Sequence, residues 1–163
     1  MPVANERHVT VFTTPSDLEV TATRVFDAPR PLIWDMFTKP EHVSKWMLGP
    51  EGWTMPVCEI DLRPGGKWRW VWRKSSGETM EMTGEYREVV PPERLVNTEN
   101  WGDDWPETTN ILVLTEQNGK TLTVQTVRFP SKEARDRGMQ TGMSDGWAVS
   151  HDRLDGYLQQ IAG

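Results

Sequence analysis

The chain of 163 residues has one cysteine, three scattered histidines and no apolar run long enough to cross a bilayer. A lone Cys58 excludes an intramolecular disulfide, and its plain reading is a small buried apolar side chain in a reducing compartment. His8, His42 and His151 have no ligand spacing, so no metal site is expected. There is no Gly-x-Ser-x-Gly, no Walker loop and no Gly-x-Gly-x-x-Gly, and no cofactor is implied. Ser150-His151-Asp152 is contiguous on an expected helix, where successive side chains point to different sides and cannot form a triad. Positive charge is also short: 18 Lys and Arg stand against 24 Asp and Glu, a net charge of -6. That balance argues against a nucleic-acid partner. The start, Met1 to His8, lacks a signal-type apolar region, so the expected location is the cytoplasm.

What the chain has instead is large, polarisable apolar side chains: nine tryptophans and eight methionines where hydrophobic residues make up 36%. Three of the tryptophans, Trp68, Trp70 and Trp72, alternate after a Pro64-Gly65-Gly66 turn, so a period of two sets all three rings on one face of a strand. Each ring can bury about 150–250 Å², more together than soluble surfaces tolerate, so this face looks inward.

Strands are expected at Val9 to Thr13, Leu18 to Phe26, Trp53 to Leu62, Lys67 to Lys74, Thr79 to Val90, Arg94 to Trp101, Thr108 to Gln117 and Leu122 to Phe129. The gaps between consecutive strands from Trp53 onward are short, which predicts antiparallel hairpins, and Asn118-Gly119 is the clearest two-residue turn. Two short helices, over Leu32 to Thr38 and from Pro40, follow the first long strand. Ser131 to Ile161 reads as one long helix, N-capped by Ser131, with Met139, Met143, Trp147, Ser150, Leu154, Leu158 and Ile161 on one stripe. Gly138, Gly142 and Gly146 share a face of it and allow either a kink or a close approach. The expectation is a single α+β domain spanning 1–163: a curved antiparallel sheet of about six or seven strands gripping a C-terminal helix, with 1–17 an N-terminal extension carrying a possible short strand.

The run Arg24-Val25-Phe26-Asp27-Ala28-Pro29, the segment Pro40-Glu41-His42 before Trp46, Asp61-Leu62-Arg63-Pro64-Gly65-Gly66, the stretch from Gly84 to Leu95, and Gly142-Met143 carry a resemblance over about Leu18 to Leu158. In this order they resemble the START-like helix-grip (SRPBCC) superfamily, and within it the branch related to the C-terminal domain of the activator of Hsp90 ATPase. The resemblance implies a cavity between sheet and long helix, used in that superfamily for apolar molecules by carriers and cyclases. It also implies an Hsp90-type chaperone as an alternative partner, although the chain does not show the additional N-terminal domain of the co-chaperones.

If the tryptophan face is inward, Met80, Met82 and Tyr86 supply the neighbouring row and Glu81, Glu85 and Arg87 face out. Glu99 shares its face with Leu95, Asn97 and Trp101; should that face be inward, Asn97 and Glu99 are the polar groups of the pocket and Glu99 the acid-base candidate. The expected ligand set is Trp46, Trp68, Trp70, Trp72, Met80, Met82, Tyr86, Asn97, Glu99, Trp101, Met139, Met143 and Trp147, holding a small apolar or aromatic molecule. Binding rather than catalysis is the expected role. Three further readings stay open: a cyclase or hydrolase using Glu99, a docking module using an exposed Trp105 in the Gly102 to Pro106 loop, and a homodimer formed through a free sheet edge.

Overall fold

The computed structural model describes residues 9–162, of which Ala162 by its backbone alone. Readings that fall on residues 1–8, His8 included, lie outside the described residues. Among the described residues the order is β1 (Val11–Thr13), β2 (Glu19–Phe26), α1 (Arg30–Thr38), α2 (Pro40–Trp46), β3 (Trp53–Ile60), β4 (Lys67–Lys74), β5 (Thr79–Val90), β6 (Arg94–Glu99), β7 (Thr108–Gln117), β8 (Lys120–Arg128), α3 (Lys132–Met139) and α4 (Met143–Ala162). The eight strands form one antiparallel sheet in the order β1-β2-β8-β7-β6-β5-β4-β3. This exceeds the expected six or seven because β1 pairs with β2, Phe12 opposite Ala22, and extends that edge.

Strands β3 to β8 form a meander in which consecutive strands pair, joined by turns and by the longer β6–β7 loop over residues 100–107. The β7–β8 hairpin closes at Asn118 and Gly119, with φ of 54° and 77°, and Gln117 opposite Lys120. Strands β2 and β3 follow each other in the chain yet lie six strands apart, so α1 and α2 must carry the backbone across one face of the sheet. Pro29 to Pro31 starts α1, whose Ile33, Trp34, Met36 and Phe37 are buried against α2, β7 and β8, while Pro31 and Asp35 lie toward solvent.

The expected single C-terminal helix is two helices. Ser131 Oγ accepts the Ala134 N–H at 3.0 Å and caps α3. The chain then breaks before α4 at Gly142, whose φ of +82° lies in the left-handed region that ends a helix. The C-terminal half of α4 buries Leu154 and Leu158 among Phe26, Ile33, Met36, Trp46, Leu112 and Leu114. Beside them a buried cation ties α4 to β2: Arg24 is 1% exposed and pairs with Asp152 (2.8 Å) and Asp155, while its Nη1 also donates to Thr10. Removing one member of such a pair strands a desolvated charge, at about 3–5 kcal/mol. No helix among the described residues is long and apolar enough to cross a membrane.

Candidate functional site

The start of α4 does not settle onto the sheet as its end does. Between them lies a cavity of about 540 Å³. Strand β4 supplies its indole wall, with Trp68 and Trp72 buried and Trp70 half-buried. Their rings touch in sequence: Trp68 to Trp70 at 4.6 Å, Trp70 to Trp72 at 5.9 Å and perpendicular, and Trp72 stacked on Trp101 at 5.5 Å with 10° between planes. Trp72 is held further by its Nε1–H, which donates to Met47 O at 2.8 Å. Trp68 lies across its strand partner Gly84, where a Cβ would come within 2.5 Å of the indole, so the ring needs a glycine beneath it. The opposite face of this hairpin is charged, with Arg69 between Glu59 and Glu81, and Arg87 on Glu85 at 3.0 Å.

Strand β5 adds Met82 and Tyr86, both buried, and Met80, which is 44% exposed at the rim. On β6 to β8 the inward positions turn polar. Asn110 Nδ2 donates to Asn97 Oδ1 (3.3 Å), Gln125 Nε2 donates to Asn110 Oδ1 (3.1 Å), and Trp147 Nε1 donates to Gln125 Oε1 (3.2 Å). This buried amide chain crosses three strands and ends on α4, and each amide oxygen in it already accepts a proton donor. Next to it Glu99 faces Thr108, whose hydroxyl donates to Oε1 at 3.1 Å. Burial pushes the Glu99 carboxyl up to about 7, and the Thr108 hydrogen bond opposes that rise in part. Burial likewise raises the Tyr86 phenol far above its ordinary value, so it stays neutral.

Of the expected ligand set, Trp68, Trp70, Trp72, Met80, Met82, Tyr86, Asn97, Glu99, Trp101, Met143 and Trp147 line this cavity, and two do not. Trp46 is fully buried beneath it, its Nε1–H donating to Met36 O at 2.9 Å and its ring set edge-on to Phe37. Met139 is 37% exposed, because the break at Gly142 ends α3 and takes Met139 out of the α4 stripe. Trp105 is not the exposed docking tip expected of it: it is half-buried on the cavity rim, with Arg137 of α3 lying 4.0 Å from its ring centre. Residues not singled out in the sequence complete the wall, chiefly Thr108, Asn110 and Leu112 on β7 and Gln125 and Val127 on β8. Their alternation was a usable signal, since each polar member shares a face with Leu112 or Val127.

Ser150, His151 and Asp152 work separately. Ser150 Oγ accepts the Gly49 N–H at 2.8 Å, His151 Nδ1 is 2.8 Å from Thr10 Oγ1, and Asp152 binds Arg24. His151 is 1% exposed, and burial together with Arg24 lowers its pKa to about 3. Cys58 is half-buried with its thiol pushed up to about 11, which leaves it protonated and poorly nucleophilic near neutrality. No cluster of metal-ligating side chains occurs among the described residues.

Comparison with known structures finds the same fold widely. A Rhodobacter sphaeroides protein superposes with a TM-score of 0.86 at 27% identity, over 93% of this chain and 99% of that one. A Mycobacterium smegmatis protein gives 0.79 at 26% identity, over 91% and 97%. The AHSA1 protein from Silicibacter pomeroyi, at 21% identity, gives 0.72 over 88% of this chain and 99% of that one and shares the fold. No curated protein matches the chain. The family model described as Activator of Hsp90 ATPase homolog 1-like protein matches residues 27–159, from the end of β2 nearly to the end of α4. By that match, the chain belongs to the Activator of Hsp90 ATPase homolog 1-like protein family.

Proposed function

We propose that this protein binds a small, flat, largely apolar molecule between the β4 tryptophans and the first turns of α4. One observation carries the reading: the cavity of about 540 Å³ lies within the range of about 300–1,000 Å³ typical of small-molecule sites, with apolar walls and a few convergent polar groups. A protein seeking only stability would gain by covering the apolar surface that lines this space, at about 25 cal/mol per Å². The fold tolerates the void because Trp72, Trp147 and the amide chain are each fixed by hydrogen bonds that do not need a guest. Titration with a panel of planar aromatic compounds is expected to quench or shift tryptophan fluorescence, and Trp70→Ala to weaken that response at least tenfold. Silence across the panel counts against the reading.

A second reading, acid-base catalysis by Glu99, is favoured by one observation: a carboxyl with a pKa near 7 faces the cavity. Turnover of a bound carbonyl compound that Glu99→Gln abolishes, with binding intact, is its test. Regulation of an Hsp90-type chaperone draws support from the family description alone, and an assay of Hsp90-type ATPase stimulation checks it.

A further inference from the structure

The cavity is unevenly charged. Among the described residues that line it there is one acid, Glu99, and no lysine, arginine or histidine. A carboxylate in low-dielectric surroundings without a counter-charge is costly, and on the wall the Thr108 hydroxyl offsets only part of that cost. Thr108 occupies Oε1, and no hydrogen bond to the second carboxylate oxygen is found among the described residues. The side-chain oxygens of Asn97, Asn110 and Gln125 are neutral acceptors, and each already receives a donor from the next member of the chain. The indole N–H groups of Trp68 and Trp70 have no partner, but they are enclosed without accessible surface and offer nothing to a guest. A cationic donor therefore finds its one charged acceptor on this wall at the second oxygen of Glu99. Two residues along the same face stands Trp101, stacked on Trp72, with Trp70 perpendicular to Trp72, and indole faces attract cations.

We propose that the natural ligand is a cation, a hydrophobic or aromatic amine whose protonated nitrogen sits on Glu99 and whose apolar body lies among Trp70, Trp72 and Trp101. The inference rests on the ligand-binding reading of the cavity and narrows it. The same wall rejects carboxylates such as fatty acids, for which it holds no positive partner and one repelling charge.

Three probes of similar shape separate the alternatives: 2-(1-naphthyl)ethylamine, the neutral 2-(1-naphthyl)ethanol and the anionic 1-naphthylacetate, each measured by calorimetry at pH 8. The amine is expected to bind at least tenfold tighter than the alcohol and the acetate weakest. Glu99→Gln is expected to bring amine and alcohol to within about threefold. In the wild-type protein, with no variant needed, amine affinity should rise from pH 5.5 to pH 8 as Glu99 ionises, while alcohol affinity stays flat. The other ionisable groups around Glu99 do not reproduce that profile. Tyr86 of β5 stays neutral, Glu107 before β7 lies on the opposite face of the sheet, and Arg137 of α3 and Asp145 of α4 are exposed. Equal binding of amine and alcohol at pH 8, or a preference that survives Glu99→Gln, overturns the cation while leaving the ligand-binding reading in place. Failure of all three probes to bind overturns both.

Discussion

The two halves of α4 meet the same sheet with opposite results. Toward its C-terminus, Leu154 and Leu158 press into Phe26, Leu112 and Leu114, and the contact is solid. Toward its N-terminus, Met143 and Trp147 belong to a separate small cluster with Val20, Val127 and Phe129, and the cavity opens beside them. The helix stripe is apolar toward both ends, with Ser150 between them, and the strands beneath it also differ from one end to the other. Strand β7 reads Leu112 and Leu114 at one end and Thr108 and Asn110 at the other, and β8 sets Gln125 opposite Leu112, between the two ends. The asparagines fill less space than leucines, and their amide chain reaches the helix through the Trp147 hydrogen bond to Gln125. The change from leucines to Thr108 and Asn110 along β7 accompanies the change from a solid end to a hollow one.

Substitutions at the solid end should cost most. Trp46→Ala and Leu154→Ala are expected to lower unfolding free energy by about 3–5 and 2–5 kcal/mol respectively, read from denaturant midpoints. Trp70→Ala, at the half-buried wall of the hollow end, should cost under about 2 kcal/mol. Equal costs would erase the contrast. Arg24→Met comes next: Asp155 loses its buried counter-ion, and a loss of about 3 kcal/mol is expected by the same measurement.

Acid should break the solid end first. His151 has a folded pKa of about 3 against an ordinary value of 6.5, so the unfolded chain binds more protons between those limits. Stability supported by the neutral ring is complete above about pH 6.5 and falls as the pH drops toward 3. His151→Phe should flatten that slope in melting temperatures taken from pH 7 to 4. Glu99 behaves in the reverse sense: its raised pKa favours the fold at low pH, and the penalty grows as the pH rises from 4.5 through 7. Glu99→Gln should therefore stabilise the unliganded protein at pH 8 by on the order of 1 kcal/mol and have little effect at pH 5. This is the smallest of the effects, and the one that reports on the hollow end.

The strands were legible because their ends are marked. Lys67–Lys74, Thr79–Val90 and Thr108–Gln117 lie between Gly, Pro and Asn clusters, and their period of two assigns faces without ambiguity. Parity alone put Glu99 with Asn97 and Trp101. The break before α4 was not legible, since glycines at intervals of four are as compatible with a close-packed helix face as with a kink. Trp46 shows the other limit: an indole at helical spacing looks the same whether it lines a cavity or fills the core below one. Asn110 and Gln125 are legible only through the Leu112 and Val127 that share their faces, because alternating polar residues on a strand ordinarily face water and the amide partners come from other strands.

The central claim is that the hollow end, and not the solid end, receives a guest. Intermolecular nuclear Overhauser effects from bound 2-(1-naphthyl)ethylamine test it directly. Contacts from the naphthyl protons to the indoles of Trp70 and Trp72 and to the methyl groups of Met82 and Met143, with none to Leu154 or Leu158, are predicted. Contacts confined to the outer surface, near Met139 or the charged side of the β4–β5 hairpin, would contradict it.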